Sequence, residues 1–288
     1  MLAGAMVFAM TFELEAQSMG VAPTTGTGQS PDYVIREIPV STVHHGQTEA
    51  PRFRLWESTS ANWSGFAVPM EGTASDTFQE VVGSWIVPSV TGGRSAGYSS
   101  TWVGLDGYES DSVEQIGTEQ DWTGRTQSNY AWFEMYPSAA YELNPRQFPV
   151  KPGDVISATV AYAGTTNVTV RTGRTQKTET EYVFKLTISS SEGWSYVVPS
   201  SYTIVSAAAR SSAEWVVEAP SSYKVLPLAD FGTAAFSGCE AASLGSGGAL
   251  APINFWTPDP LQMVDPEGGS TDVPALFGGG EAFTVSWE

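Results

Sequence analysis

The side chains able to do chemistry in this chain are few in kind. Its 288 residues hold 2 His, adjacent at His44 and His45, and 1 Cys, Cys239. A Ser-His-Asp set within the aromatic-rich body, a three-histidine zinc site and an intrachain disulfide are thereby excluded. A catalyst must draw on carboxylates, amides, hydroxyls or Lys. Extended chain sends alternate residues to opposite sides, which decides which polar groups share a face. In Tyr130-Ala-Trp-Phe-Glu-Met-Tyr136, the set Tyr130, Trp132, Glu134 and Tyr136 points one way. Ala131, Phe133 and Met135 form the better core face, so a carboxylate flanked by Trp and Tyr describes the wall of a binding cleft. Trp102, Gly104 and Asp106 likewise share a face, and Gly104 permits close approach of another backbone or a substrate. In Val113-Glu-Gln-Ile116, the amide of Gln115 points away from Ile116. Ala213-Glu-Trp-Val-Val-Glu218 puts Glu214 and Glu218 on one face, roughly 13 Å apart at about 3.3 Å per residue. Two groups so separated cannot form a tight acid pair, so a catalytic pair must join one of them to a residue from elsewhere in the chain.

These faces exist only if the segments are strands. From about Glu57 onward, short apolar or alternating runs fall at Ser64–Pro69, Val81–Pro88, Ser100–Leu105, Tyr130–Tyr136, Val155–Tyr162, Glu181–Ser189, Ser195–Val198, Glu214–Glu218 and Ala282–Trp287. Gly, Pro, Ser and Asn clusters separate them, and hardly any stretch has a helical period. The pattern predicts an all-β sandwich or jelly roll. The Pro- and Gly-dense stretch Leu250–Gly280 reads as a long loop before a last strand. Ahead of the body, the apolar run Met1–Phe12 has the length of a signal-peptide core and is too short to span a bilayer. The expected organisation is a signal peptide over 1–16, a prosegment or flexible arm over 17–56 and a β-sandwich domain over 57–288, in a secreted monomer.

Charge narrows the partners. There are 31 Asp+Glu against 13 Lys+Arg, a net charge of -18. Nucleic acid and anionic membrane surfaces require clustered Lys and Arg, which are absent. Scarce bases also suit acid, since protonating the carboxylates brings the chain toward low charge instead of a large positive self-repulsion.

Six motifs together carry a resemblance: Asn62-Trp-Ser-Gly65, Thr101-Trp-Val-Gly-Leu-Asp-Gly107, Gln115-Ile-Gly117, Tyr130-Ala-Trp-Phe-Glu-Met-Tyr-Pro137, Lys151-Pro-Gly-Asp154 and Ala213-Glu-Trp-Val-Val-Glu218. Over about Asn62 to Cys239 the chain resembles, in this order of motifs, the glutamic peptidases, the eqolisin family of acid endopeptidases. The resemblance implies a bent antiparallel β-sandwich of two seven-stranded sheets, a catalytic dyad of Gln115 and Glu218, and cleft positions at Trp63, Trp102, Asp106, Trp132 and Glu134. It also implies an acid four residues after the Gln, which selects Glu119, although Asp121-Trp122 resembles the family's Asp-aromatic pair after an insertion. With Cys239 unpaired, it points to a disulfide-free, prokaryotic branch. No cofactor and no metal are implied, and the partners are protein or peptide substrates and the chain's own prosegment.

In such a dyad, Glu218 takes a proton from water and returns it to the leaving nitrogen, while the Gln115 amide, neutral at every pH, stabilises the oxyanion. The bare residue pattern also admits a β-sandwich glycosidase using Glu134 and Glu218, or a carbohydrate-binding protein with Trp102 and Trp132 stacking on sugars. Only the peptidase needs Gln115. Arg36, Arg52, Arg54 and the His pair of the arm are expected to bind an acidic cleft near neutrality and to let go as its carboxylates protonate.

Overall fold

The computed structural model describes residues 33–38, 58–71, 76–172, 175–221, 224–264, 270–272 and 276–288. The segment read as a signal peptide lies outside them, as do the His pair, Arg52 and Arg54. In chain order the strands are β1 (Ile35–Glu37), β2 (Ser58–Ser60), β3 (Trp63–Pro69), β4 (Phe78–Ile86), β5 (Ser100–Leu105), β6 (Val113–Trp122), β7 (Gln127–Tyr136), β8 (Tyr141–Leu143) and β9 (Val155–Thr172). They continue as β10 (Thr175–Ser190), β11 (Ser195–Val197), β12 (Ile204–Val205), β13 (Ser212–Glu218), β14 (Thr233–Ser243), β15 (Ala251–Pro252), β16 (Asp259–Met263), β17 (Thr271–Asp272) and β18 (Phe283–Trp287). Among the described residues the helical elements are two 3₁₀ turns, Ser200–Tyr202 and Ile253–Phe255. None is long and apolar enough to cross a membrane.

The strands form two sheets, as the alternating runs predict. One has the order β1-β8-β7-β6-β5-β13-β3-β16-β2; the other runs β11-β10-β9-β4-β14-β18-β17, with β12 also on β10 and β15 on β14. The pairings are antiparallel apart from β16 with β2. Nine strands per sheet, where the resemblance implied seven, arise because short edge segments join the main ladders. Two such additions correct the sequence reading. The 250–280 stretch is not simply a loop, since Asp259–Met263 has the alternating burial of a strand and inserts between β3 and β2. Part of the segment read as an arm also belongs to a sheet, because Ile35–Glu37 ladders onto β8.

Odd and even positions divide the first sheet as period 2 demands. Val103, Leu105, Ile116, Phe133, Trp215 and Val217 enter the core between the sheets. Two indoles tie the layers together through their ring N–H groups. Trp215 donates to Val82 O at 2.7 Å, and Trp85 donates to Thr118 Oγ1 at 2.9 Å. A buried indole thus loses no hydrogen bond on leaving water. Opposite Trp215, Gly83 is required by space, because a Cβ there would lie 2.8 Å from Trp215 Cδ1. The other face of the sheet buries a second, smaller cluster that includes Trp63, Trp102, Trp132 and Val216.

Candidate active site

Strand register brings the predicted residues together in rows across that second face. One row runs Glu214, Gly104, Gln115, Glu134 across β13, β5, β6 and β7. The next runs Val216, Trp102, Gly117, Trp132, and the third Glu218, Ser100, Glu119, Tyr130. Trp63 of β3 pairs with Glu218. The central row needs Gly117, since a Cβ there would sit 2.5 Å from both Thr101 O and Trp102 Cβ. That absence of a side chain lets the Trp102 ring lie across the middle of the site.

Trp63, Trp102, Gln115, Glu119, Trp132, Glu134 and Glu218 are all buried, so their polar atoms must find partners within the protein. Trp102 Nε1 donates to Glu218 Oε2 at 2.9 Å, and Asn62 Nδ2 approaches Glu218 Oε1 at 3.4 Å. Ser60 Oγ donates to Asn62 Oδ1 at 3.1 Å, which orients the Asn62 amide toward Glu218. Gln115 Nε2 donates to Glu134 Oε2 at 2.9 Å, while among the described residues Gln115 Oε1 accepts nothing. Trp132 Nε1 donates to Ser100 Oγ at 2.9 Å, and Trp63 meets Trp102 edge-on at 4.8 Å between centroids.

Electrostatics distinguish the two glutamates of β13. Burial, then the charge of Glu218, holds the Glu134 carboxyl well above the usual range, against the pull of its hydrogen bond from Gln115. Burial raises Glu119 in the same way, with the neighbouring carboxyls of Asp121 and Glu218 adding to it. Glu218 thus faces Glu134 and Glu119, whereas Glu214 faces Asp106 and Glu114. Both acids considered for the position after Gln115 lie on the cleft face. Glu119 and Asp121 act first on each other; Glu218 acts further on Glu119 and Glu142 on Asp121, which burial pushes up to about 6.

Asp106 departs from the simple alternation that grouped it with Trp102 and Gly104. Its φ of 69° is left-handed, a conformation that Asp tolerates better than most residues. Its carboxylate accepts the backbone N–H groups of Arg210 at 2.7 Å and Ser211 at 2.8 Å, and the Ser211 hydroxyl at 3.0 Å. Asp106 therefore clamps the entry to β13. Arg210 is itself left-handed, at φ 51°, with its guanidinium 3.8 Å from the Tyr162 centroid.

Sequence reasoning missed Glu114, Asn62 and Ser100 as parts of this apparatus, and spacing left Glu214 level with Glu218. Glu114 occupies a core-face position between Leu105 and Met135, where alternation predicts an apolar residue. Asn62 was legible only as the first letter of the Asn-Trp-Ser-Gly motif. Ser100 supports Trp132 from the adjoining strand and carries no signal of its own.

The sequence profile described as Peptidase A4 family matches residues 61–257. Aspergillopepsin-2 of Aspergillus niger is 28% identical over 211 residues, which is 66% of this chain and 67% of that protein. Among solved structures, scytalido-glutamic peptidase with a transition state analog inhibitor is similar at a TM-score of 0.59 and 21% identity, over 79% of this chain and 98% of that one. A second structure of that peptidase, with a peptide based transition state analog, gives 0.56 and 22% over the same shares of 79% and 98%. These structural likenesses bear on the fold, a two-sheet β-sandwich.

Proposed function

Because the chain belongs to the Peptidase A4 family and is therefore a peptidase, we propose that it is an acid endopeptidase whose hydrolytic pair is Glu218 and Gln115. The observation that carries the reading is that both side chains are held from behind on one buried face, Glu218 by Trp102 and Gln115 by Glu134. Glu218, as carboxylate, removes a proton from a water whose oxygen attacks the peptide carbonyl carbon. As the carbonyl π pair moves onto oxygen, the oxyanion receives the Gln115 N–H that Glu134 does not engage. Collapse of the intermediate re-forms the C=O bond and breaks the C–N bond, and Glu218 passes its proton to the leaving nitrogen. Glu134 positions the amide, and Glu119, Trp63 and Trp132 complete the wall.

Membership of a peptidase family counts against the glycosidase reading, and the site counts against the carbohydrate-binding one. Trp102 and Trp132 are buried with their N–H groups engaged inside the sheet, rather than presented as flat platforms for sugars.

The test is cleavage of a denatured protein from about pH 2 to about pH 8, a span that brackets carboxylate titration. Activity should peak in the acid range and be lost in Gln115→Ala and in Glu218→Gln, with far-UV circular dichroism unchanged. Acid proteolysis surviving both substitutions would refute the pair. The same reading includes secretion and a latent form, motivated by the apolar Met1–Phe12 run and by the docking of Arg36 against Glu142. N-terminal sequencing of the secreted, acid-treated protein checks both. Removal of residues ahead of β2 is expected, and an active chain that retains them would overturn latency.

A further inference from the structure

The edge of the site-bearing sheet is already occupied by an extended peptide that belongs to the chain itself. Residues 33–38 lie antiparallel along β8, with Arg36 opposite Glu142 and Ile35 opposite Leu143. Beyond the ladder, Ile38 N–H donates to Ala140 O at 2.8 Å and Asn144 N–H donates to Val34 O at 2.9 Å. Asn144 Nδ2 adds a bond to Tyr33 O at 2.5 Å. These contacts are main-chain or reach main-chain atoms of the segment, so they do not depend on which side chains it carries.

Two side chains of the segment are read specifically. Glu142 pairs in register with Trp132, so Arg36 stands on the same face and in the same row as Trp132, Gly117 and Trp102. Arg36 Nη2 meets Glu142 Oε2 at 2.5 Å, and Tyr33 Oη donates to Glu142 Oε1 at 2.7 Å. The guanidinium also sits 5.4 Å from the Tyr33 ring centroid. Glu142 and Arg36 act in opposite senses on Tyr130 beside them. Two residues later, Ile38 is buried in the cluster that contains Trp63, Trp102 and Trp132. A ladder for affinity and alternate side-chain pockets for selectivity are the elements of recognition by strand addition.

We propose that the β8 edge is a substrate-docking site that adds an extended peptide as a strand and selects Arg or Lys at Glu142, followed two residues later by an aliphatic side chain. Arg36-Glu37-Ile38 is its intramolecular occupant in this structure. The role as a substrate site rests on the peptidase reading above. Glu142 is here a specificity-determining residue, since it is the carboxylate that meets the cationic side chain directly.

The test uses the full chain and a fluorescein-labelled peptide of residues 31–40, Pro-Asp-Tyr-Val-Ile-Arg-Glu-Ile-Pro-Val, beside the same peptide with citrulline replacing Arg. Binding is followed by fluorescence anisotropy at about pH 5, just above the ordinary carboxylate range, with Gln115→Ala in every chain to suppress cleavage. Arg36→Ala with Ile38→Ala should weaken the internal occupant and tighten the Arg peptide about tenfold, the scale of one charge-assisted contact. Adding Glu142→Gln should bring the Arg and citrulline peptides to equal affinity. Equal affinity before that substitution, or an Arg preference that survives it, would overturn the site.

A kinetic arm uses Gln115-intact chains and longer peptide substrates that carry Arg or citrulline at the selected position. The Arg-to-citrulline ratio of kcat/KM should fall from about tenfold to near one in Glu142→Gln, through KM. An unchanged ratio would refute the role in substrate choice. Failure of the chain to cleave any protein would refute the peptidase reading instead, leaving the anisotropy to decide the docking site.

Discussion

Replacing Glu214 by Gln should change how stability depends on pH. Glu214 is wholly buried in β13, and that burial, reinforced by Asp106 and Glu114 and offset in part by Ser212, holds its carboxyl well above the usual range. The folded chain therefore keeps a proton that the unfolded chain releases near the ordinary value of 4.5. With more protons bound in the folded state, this stabilisation is complete below that value and is lost as pH rises toward the folded pKa. Within that window one such group makes the unfolding free energy fall by about 1.4 kcal/mol per pH unit. Glu114 and Glu134 are raised by the same burial. Where all three hold protons that the unfolded chain has lost, the slope reaches about 4 kcal/mol per pH unit, large against a typical total of roughly 5–15 kcal/mol. Glu214→Gln keeps the shape and cannot ionise. Its buried amide carries a cost of its own that does not vary with pH, so the diagnostic is the slope and not the absolute stability. Urea unfolding followed by Trp fluorescence from about pH 4 to about pH 7 should show the variant gaining on the parent chain by about 1.4 kcal/mol per unit. Parallel curves would mean that Glu214 is ionised in the folded chain, and the reasoning from burial would fail.

Further outcomes follow from single contacts. Gly117→Ala places a Cβ 2.5 Å from Thr101 O and Trp102 Cβ, so β5 and β6 must separate. A loss of about 1–3 kcal/mol in thermal or urea unfolding is expected, accompanied by loss of activity. Trp102→Phe keeps most of the ring but removes the N–H that reaches Glu218 Oε2. With about 1.5–3 kcal/mol assigned to a hydrogen bond to a charged group, kcat on a denatured protein should drop about tenfold to a hundredfold, and unchanged kcat would deny Glu218 its place in the reaction. Asp106→Asn tolerates the left-handed backbone but presents an NH₂ to the N–H donors of Arg210 and Ser211. It should cost about 1–3 kcal/mol in urea unfolding, and a neutral result would show that the clamp is dispensable.

Sequence by itself determined the class of the fold and nominated the members of the proposed site. Alternation is a local property, so Phe133 and Met135 could be assigned inward and Trp132 and Glu134 outward without knowing any partner strand. The scarcity of His and Cys narrowed the chemistry to carboxylates and amides, and the order of six motifs singled out Gln115 and Glu218. The extra strands were not legible in the same way. Ile35–Glu37 and Asp259–Met263 are too short and too near Pro or Gly to announce themselves, and they are strands because an existing edge offers them a ladder. Alternation also stops where the backbone leaves the extended region, so at Asp106, with its φ of 69°, it no longer assigns a face. Glu214 and Glu218 are equivalent by spacing alone. Motif order prefers Glu218, and the tertiary structure supplies the physical difference, because register places the Trp102 ring next to Glu218, while Asp106 and Glu114 act on Glu214. A charge is assigned its role by what surrounds it in space, and those surroundings come from strands far apart in the chain.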